Sequence, residues 1–346
     1  MKTIAFVVPA YNVEEYITEC LESFVCQTDR DFEVIIVNDG STDEGTERIS
    51  KQYCDSYPEL FQYVYKENGG QGSARNTGMK YVEAPWITFL DSDDWLVPNY
   101  VEAFKKNLEN SLEAEVDIYF TLPKVYNHVS HQITEFMDAE LFYEIFRGKR
   151  VVNPQIEKRI FDMEVSPCRK IYRRTFLEKV NFAFREGVKW EDVYPHFYLL
   201  YHARSCMGIG EIGFYYRTNT YGQTTSTTGK RRLDIIKVFA ETFAYLMGVK
   251  ADEEIILKVV RTCIVFSKWS INVADIETRK ELVKKLYFLY KCIPARIMKK
   301  YKKSCSKADR RFLYAMNHKI FNWLLYDYMV QHVSNAMINK LIPKRG

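Results

Sequence analysis

The first hundred residues switch repeatedly between short unbroken apolar runs and segments whose apolar positions recur at helical spacing. TIAFVV (3–8), FEVIIV (32–37), FQYVY (61–65) and WITFL (86–90) are rich in β-branched and aromatic side chains and bounded by turn residues. Runs of that kind predict strands buried on both faces. Tyr16, Ile17, Cys20, Leu21 and Phe24 fall three and four residues apart and predict a helix near residues 14–26; further helices are predicted near 44–57 and 72–82. Alternation of strand and helix predicts an α/β fold with a doubly wound, mostly parallel sheet. Ligands of such sheets sit beyond the carboxyl ends of the strands.

Beyond residue 100 the pattern mixes. VDIYF (116–120) predicts another strand, a helix begins near Asp138, residues 173–180 and those after Glu191 have helical spacing, and CMGIGEIGFYYR (206–217) has strand character. From residue 229 glycine and proline nearly vanish and helical periodicity takes over, so two regions are expected, 1–228 and 229–346. No apolar run reaches the length of a membrane span. The apolar run that opens the chain ends at Pro9, too short for a signal peptide.

Composition sharpens this division. Residues 1–228 hold 24 Lys/Arg against 35 Asp/Glu, a balance of −11, whereas residues 229–346 hold 25 against 10, a balance of +15. An acidic front and a basic back point to different partners. The eight cysteines show no C-x-x-C pair and are read as reduced thiols of a cytoplasmic protein. His128 and His131 have no further ligand-type neighbours and are not taken as a metal site.

Polar clusters follow the buried runs. Pro9, Ala10 and Tyr11 end the first, where Pro9 is expected to stop the strand and set a turn. Asn38-Asp39-Gly40-Ser41 ends the second; Asp39 is either a turn residue or an acceptor for a base N–H. Asn68-Gly69-Gly70-Gln71-Gly72-Ser73-Ala74-Arg75 combines glycines for close backbone approach, a helix start and a cationic fork suited to phosphate. Asp91-Ser92-Asp93-Asp94 packs three carboxylates into four residues, a repulsion that a divalent cation with oxygen preference would offset. Glu191-Asp192 either starts a helix or supplies a general base. Gly208-Ile209-Gly210-Glu211-Ile212-Gly213 matches a dinucleotide fingerprint formally, but runs into strand-like residues and is rejected.

In their order and spacing, PAYNVEEYITECLESFVCQT, VNDGSTD, NGGQGSARNTG, FLDSDDWLVPN, CRKIYRRTFLEKV, KWEDVYP and YYRTNTYGQTTST resemble the family 2 glycosyltransferases of GT-A fold, over about residues 1–228. Length and layout resemble bacterial exopolysaccharide and capsule transferases. The resemblance implies a catalytic domain with a nucleotide-sugar half at 1–95 and an acceptor half at 96–228, followed by a basic helical region. It implies a nucleotide-sugar pocket at Pro9, Ala10, Tyr11, Asp39, Gly70, Arg75, Asp91 and Ser92. It implies Mg²⁺ or Mn²⁺ held by Asp91 and Asp93, and Asp192 as catalytic base. The implied activity is transfer of a sugar, with inversion, from a UDP-sugar to a saccharide acceptor, lipid-diphosphate-linked in one form, during cell-surface polysaccharide synthesis. The basic region, with apolar residues interleaved among Lys299, Lys300, Lys302 and Lys303, is either a solvated face or a peripheral anchor on the anionic inner face of the membrane. The acidic catalytic half argues against nucleic acid. One departure from the pattern is Gln223-Thr224-Thr225-Ser226, where relatives often carry an Asn-Ser pair. Three other readings compete: a catalytically silent nucleotide-sugar binder of the same fold, a nucleotidyltransferase and a membrane-associated scaffold.

Overall fold

The computed structural model describes residues 1–111, 115–148, 151–220 and 227–317. The segment with the departure at 223–226 lies outside them. The front of the chain runs β1 (Ile4–Ala10), α1 (Ile17–Val25), β2 (Phe32–Asn38), α2 (Gly45–Ser56), β3 (Phe61–Tyr65), α3 (Gln71–Met79) and β4 (Trp86–Phe89). It continues through the short β5 (Trp95–Leu96), α4 (Tyr100–Glu109), β6 (Ile118–Asn127), β7 (Ile133–Glu135) and α5 (Ala139–Phe146). Then come β8 (Lys170–Arg173), α6 (Arg174–Lys179), α7 (Val193–His202) and β9 (Cys206–Thr218). Five helices follow: α8 (Asp234–Gly248), α9 (Glu253–Val273), α10 (Ile276–Cys292), α11 (Ala295–Ser304) and α12 (Lys307–Asn317).

Among the described residues one sheet runs in the order β3-β2-β1-β4-β8-β6-β9-β5, with β7 paired on β6. The four strands from β3 to β4 are parallel, and every residue of β1 is buried, as the unbroken apolar runs predict. The second half is mixed: β8 is antiparallel to both β4 and β6, β6 is parallel to β9, and β5 is antiparallel to β9. The mostly parallel sheet and the helical region after residue 229 are therefore as expected.

Two details differ from the sequence reading, and the rejected dinucleotide fingerprint falls in a strand as expected. Pro9 does not stop β1; the strand continues to Ala10, and Pro9 pairs with Val37. On the other side the pairing with β4 has already ended at Val7–Phe89, so the missing N–H has no ladder partner to lose there. β6 runs far beyond the predicted 116–120 segment, through Pro123 to Asn127, and its register against β9 shifts on both sides of Leu122. A bulge is one of the few places where a strand tolerates proline. The formal dinucleotide fingerprint lies inside β9, where a Cβ at Gly208 would come within 2.6 Å of the Phe146 ring. That glycine allows close packing of α5 on the sheet.

Helix α11 does not present an open apolar face. Ile297 and Tyr301, the apolar side of α11, are buried in the same core cluster as α9 and α10, and Lys299 and Lys303 stay exposed. Lys300 and Arg296 both pair with Glu253 at the start of α9 (2.7 and 3.1 Å). A membrane facing this helix would thus meet charge, with the apolar side already spent.

Candidate active site

The carboxyl ends of the parallel strands gather the predicted polar clusters at one edge. After β2, the Asp39 N–H donates to the Ala10 carbonyl (2.9 Å), tying the first two clusters together. The Asp39 carboxylate, 3% exposed, accepts hydrogen bonds from Lys66 Nζ (2.6 Å) and from the backbone N–H groups of Gly69 (3.0 Å) and Gly70 (2.8 Å). In this structure it fixes the glycine turn. Gly70 adopts φ +86°, and a Cβ there would meet nothing within 4 Å, so the turn ahead of α3 has an open face. Tyr11 is 47% exposed, while Pro9 and Ala10 are buried.

One helical turn apart on α3, Gln71 and Arg75 share a face and a target. Gln71 Nε2 donates to Asp91 Oδ1 (2.7 Å), and Arg75 Nη2 donates to the same oxygen (2.9 Å). Arg75 Nη1 donates to Glu191 Oε1 (2.9 Å). The guanidinium is 2% exposed and lies against the Phe184 ring at 5.4 Å. Burial opposes its charge, but Asp91 and Glu191 more than offset this and hold its pKa above the ordinary range. Arg75 therefore locks together Asp91 and Glu191, 100 residues apart in sequence. The fork that was read as suited to phosphate is bonded to carboxylates in this structure.

The three acids of the DSDD turn have three different surroundings. Asp91 is held as above. Asp94 is turned inward: its Oδ1 accepts the Arg217 backbone N–H (2.8 Å), and its buried Oδ2 has no partner among the described residues. Burial, then Asp93 and Asp91, push its pKa well up. The Asp93 carboxylate has no side-chain hydrogen-bond partner among the described residues, and burial followed by the Asp91 charge raises its pKa to about 7. Ser92 is buried in the turn. Arg217, near the end of β9, secures the loop by donating from Nε to the Asp93 carbonyl (2.6 Å), with its guanidinium 4.5 Å over Trp95.

No three His, Cys, Asp or Glu side chains among the described residues converge on a metal-sized site. Asp91 and Asp93 nonetheless fit a hard divalent cation of the kind that takes one or two carboxylates and completes its shell with substrate phosphates. Their crowding is what a cation at this turn would relieve.

The Glu191-Asp192 turn precedes α7. Trp190 takes φ +67°, unusual for a bulky residue, and is held there by the helical region. Its indole packs edge-on against Trp269 (4.8 Å) and Phe266 (5.9 Å) of α9. The buried Arg232 guanidinium lies 5.0 Å from the Trp269 ring and 5.7 Å from that of Trp190, and its Nε donates to the Thr227 carbonyl. The Lys189 N–H donates to Asp234 Oδ2 (3.2 Å). Glu191 is spent on Arg75. Asp192 occupies the N-cap position but makes no capping bond, and its buried Oδ1 has no partner among the described residues. Burial raises its pKa to about 7, with the Glu191 and Glu164 charges adding and Arg75 opposing.

The structure thus brings Asp39, Gly70, Arg75, Asp91, Ser92, Asp93 and Asp192 to one edge of the sheet. Sequence reasoning missed Lys66, Gln71, Arg217 and Arg232, which orient those groups. Gln71 and Arg217 sit within motifs already singled out; Lys66 and Arg232 carry no local signal.

A parallel half-sheet with acidic and glycine turns at its carboxyl edge, joined to a mixed half-sheet, defines a GT-A type fold. The fold is shared with the S. aureus TarS 1–349 structure in complex with UDP-GlcNAc (TM-score 0.69, 22% identity, 86% of this chain and 83% of that one). It is shared less closely with the mannosyltransferase PcManGT from Pyrobaculum calidifontis in complex with GDP-Man and Mn²⁺ (TM-score 0.54, 13% identity, 92% and 84%). The chain belongs to glycosyl transferase family 2, whose model matches residues 5–180. It is similar to the glycosyltransferase GlyA of Streptococcus pneumoniae serotype 4, at 32% identity over 55% of this chain and 27% of that protein. It is also similar to the teichoic acid poly(glycerol phosphate) polymerase of Staphylococcus epidermidis, at 30% identity over 68% of this chain and 31% of that protein. The chain therefore spans less than a third of the length of either relative.

Proposed function

We propose that the chain is an inverting glycosyltransferase that moves a sugar from a nucleotide-diphosphate donor to a hydroxyl of a saccharide acceptor in cell-surface polysaccharide synthesis. The observation that carries this reading is the division of labour among the acids. Arg75 pairs with Asp91 and Glu191, while the Asp93 carboxylate has no side-chain partner among the described residues and the buried Asp192 Oδ1 has none at all. A UDP-sugar is the favoured donor, supported by the UDP-GlcNAc bound in the TarS structure of the same fold.

In this reading Asp192 accepts the proton of the acceptor hydroxyl as its oxygen attacks the anomeric carbon. The bond from that carbon to the diphosphate oxygen breaks, its electron pair leaves with the nucleotide diphosphate, and the configuration inverts. A pKa of about 7 suits a base working near neutral pH. Asp91 and Asp93 would hold Mg²⁺ or Mn²⁺, which when bound would supply positive charge against the leaving diphosphate. Asp39, Gly70 and Tyr11 would form the floor and wall for the base and ribose. A lipid-diphosphate-linked acceptor would bring the exposed lysines of α11 near anionic headgroups. The test is a screen of UDP- and GDP-sugars for metal-dependent hydrolysis and transfer. Donor binding without turnover by the wild-type chain would favour the silent nucleotide-sugar binder instead.

A further inference from the structure

The sheet has a second polar cleft, at the edge opposite the acidic turns. It has a volume of about 310 Å³ and is lined by Asp117, Arg173, Thr175, Lys179, His202 and Arg204 among others. Arg173 pairs with Trp86 at the start of β4, whereas Asp91 lies beyond the end of that strand. Five residues of extended chain, at about 3.3 Å each, put roughly 16 Å between them. An occupant of this cleft would not touch the acidic turns.

Three cations line the cleft against one acid. That acid, Asp117, is buried and already accepts the Arg204 backbone N–H at Oδ2 (2.8 Å). Arg204 also lies 3.4 Å from the exposed Glu115. Arg173 is set in place: its guanidinium lies 4.6 Å from the Trp86 ring centroid, and its Nε donates to the Val116 carbonyl (2.9 Å). Among the described residues its two terminal nitrogens have no partner, and neither does the Lys179 ammonium. His202 is bonded to the Tyr245 hydroxyl, and burial lowers its pKa.

Two unpaired cations in one concavity repel each other unless an anion lies between them. A guanidinium fork fixed by stacking, with an ammonium beside it, suits phosphate oxygens. The volume is at the lower end for small-molecule sites and exceeds what a bare phosphate needs. We infer that this cleft binds a phosphate ester of a sugar or polyol, at the end of the strands opposite the transfer site. The inference does not depend on the proposed transfer reaction.

The test is calorimetric titration of the full chain at low salt with glycerol 3-phosphate, glycerophosphoglycerol and glycerol. The two phosphate esters should bind and weaken with rising salt, and glycerol should not bind. The order of the two esters tells whether a terminal phosphate or an internal phosphodiester is the natural occupant. Lys179→Ala, an exposed change that keeps the fold, should weaken ester binding about tenfold, as loss of one charge-assisted bond does, and leave UDP affinity unchanged. Arg173→Lys, which keeps the charge but loses the fork, should weaken it by a similar factor. Equal ester affinity in wild type and Lys179→Ala would overturn the inference, as would absence of ester binding at millimolar concentration.

Discussion

At the scale of single residues, the site is organised by what each carboxylate is bonded to. Asp192 is the group whose titration would be visible in rates. As a base it acts ionised, so kcat should rise with pH and level off above an apparent pKa near 7. A flat profile from pH 5.5 to 8.5 would remove Asp192 from that role. The same shift affects stability with the opposite sign. Its folded pKa lies above the unfolded value of 3.8, so between these limits the folded state holds a proton that the unfolded state has lost. Stability then falls as pH rises through that window. Asp192→Asn should therefore raise the melting temperature at pH 8 and change it little at pH 4. Arg75 is the reverse case. Arg75→Met leaves Asp91 and Glu191 facing each other without compensation, a loss of about 3–5 kcal/mol by the usual cost of breaking a buried pair. Chemical denaturation would read it, and a change below about 1 kcal/mol would show the pair to be dispensable. Glu191 and Asp192, which precede α7, were singled out by the resemblance. The positions of Asp39 and of the 91–94 acids were legible in sequence, because they follow buried strands in a fold whose ligands sit there. Which acid is spent and which is unpartnered was not, since Arg75 makes that choice through contacts 16 and 116 residues away.

At the scale of elements, the parallel half of the sheet was readable because strands buried on both faces are written as unbroken apolar runs. The mixed half was less so. Pro123 made β6 look short, and a bulge in its register against β9 absorbs it; in β9, Gly208 lets α5 come close and Gly213 lets β6 come close. Nor did periodicity reveal that α9 buttresses the Glu191-Asp192 turn through Trp269, Arg232 and a Trp190 held at positive φ. If that support positions the base, Arg232→Met should lower kcat by about tenfold to a hundredfold while donor affinity stays unchanged, since small misplacements of a catalytic group carry such costs. Steady-state kinetics beside donor titration would check this. A fall in donor affinity with kcat intact would place Arg232 at the donor instead.

At the scale of the whole molecule, the charge division in the sequence sets an acidic front against a basic helical region in which Lys299, Lys300 and Lys303 of α11 are among the exposed lysines. With Ile297 and Tyr301 turned into the core, any membrane contact of α11 would be electrostatic, at about 1 kcal/mol per basic residue. The full chain should float with anionic vesicles at low salt, and not with neutral ones. Lys299→Glu, Lys300→Glu, Lys302→Glu and Lys303→Glu together should abolish flotation; equal recovery of the variant would rule this face out. The transfer reaction itself is tested most directly by Asp192→Asn, assayed in parallel for donor binding and for sugar transfer with the donor and acceptor that the screen identifies. The account predicts donor affinity within about twofold of wild type and transfer reduced by a factor of about 10² or more. Transfer at the wild-type rate in that variant would contradict it.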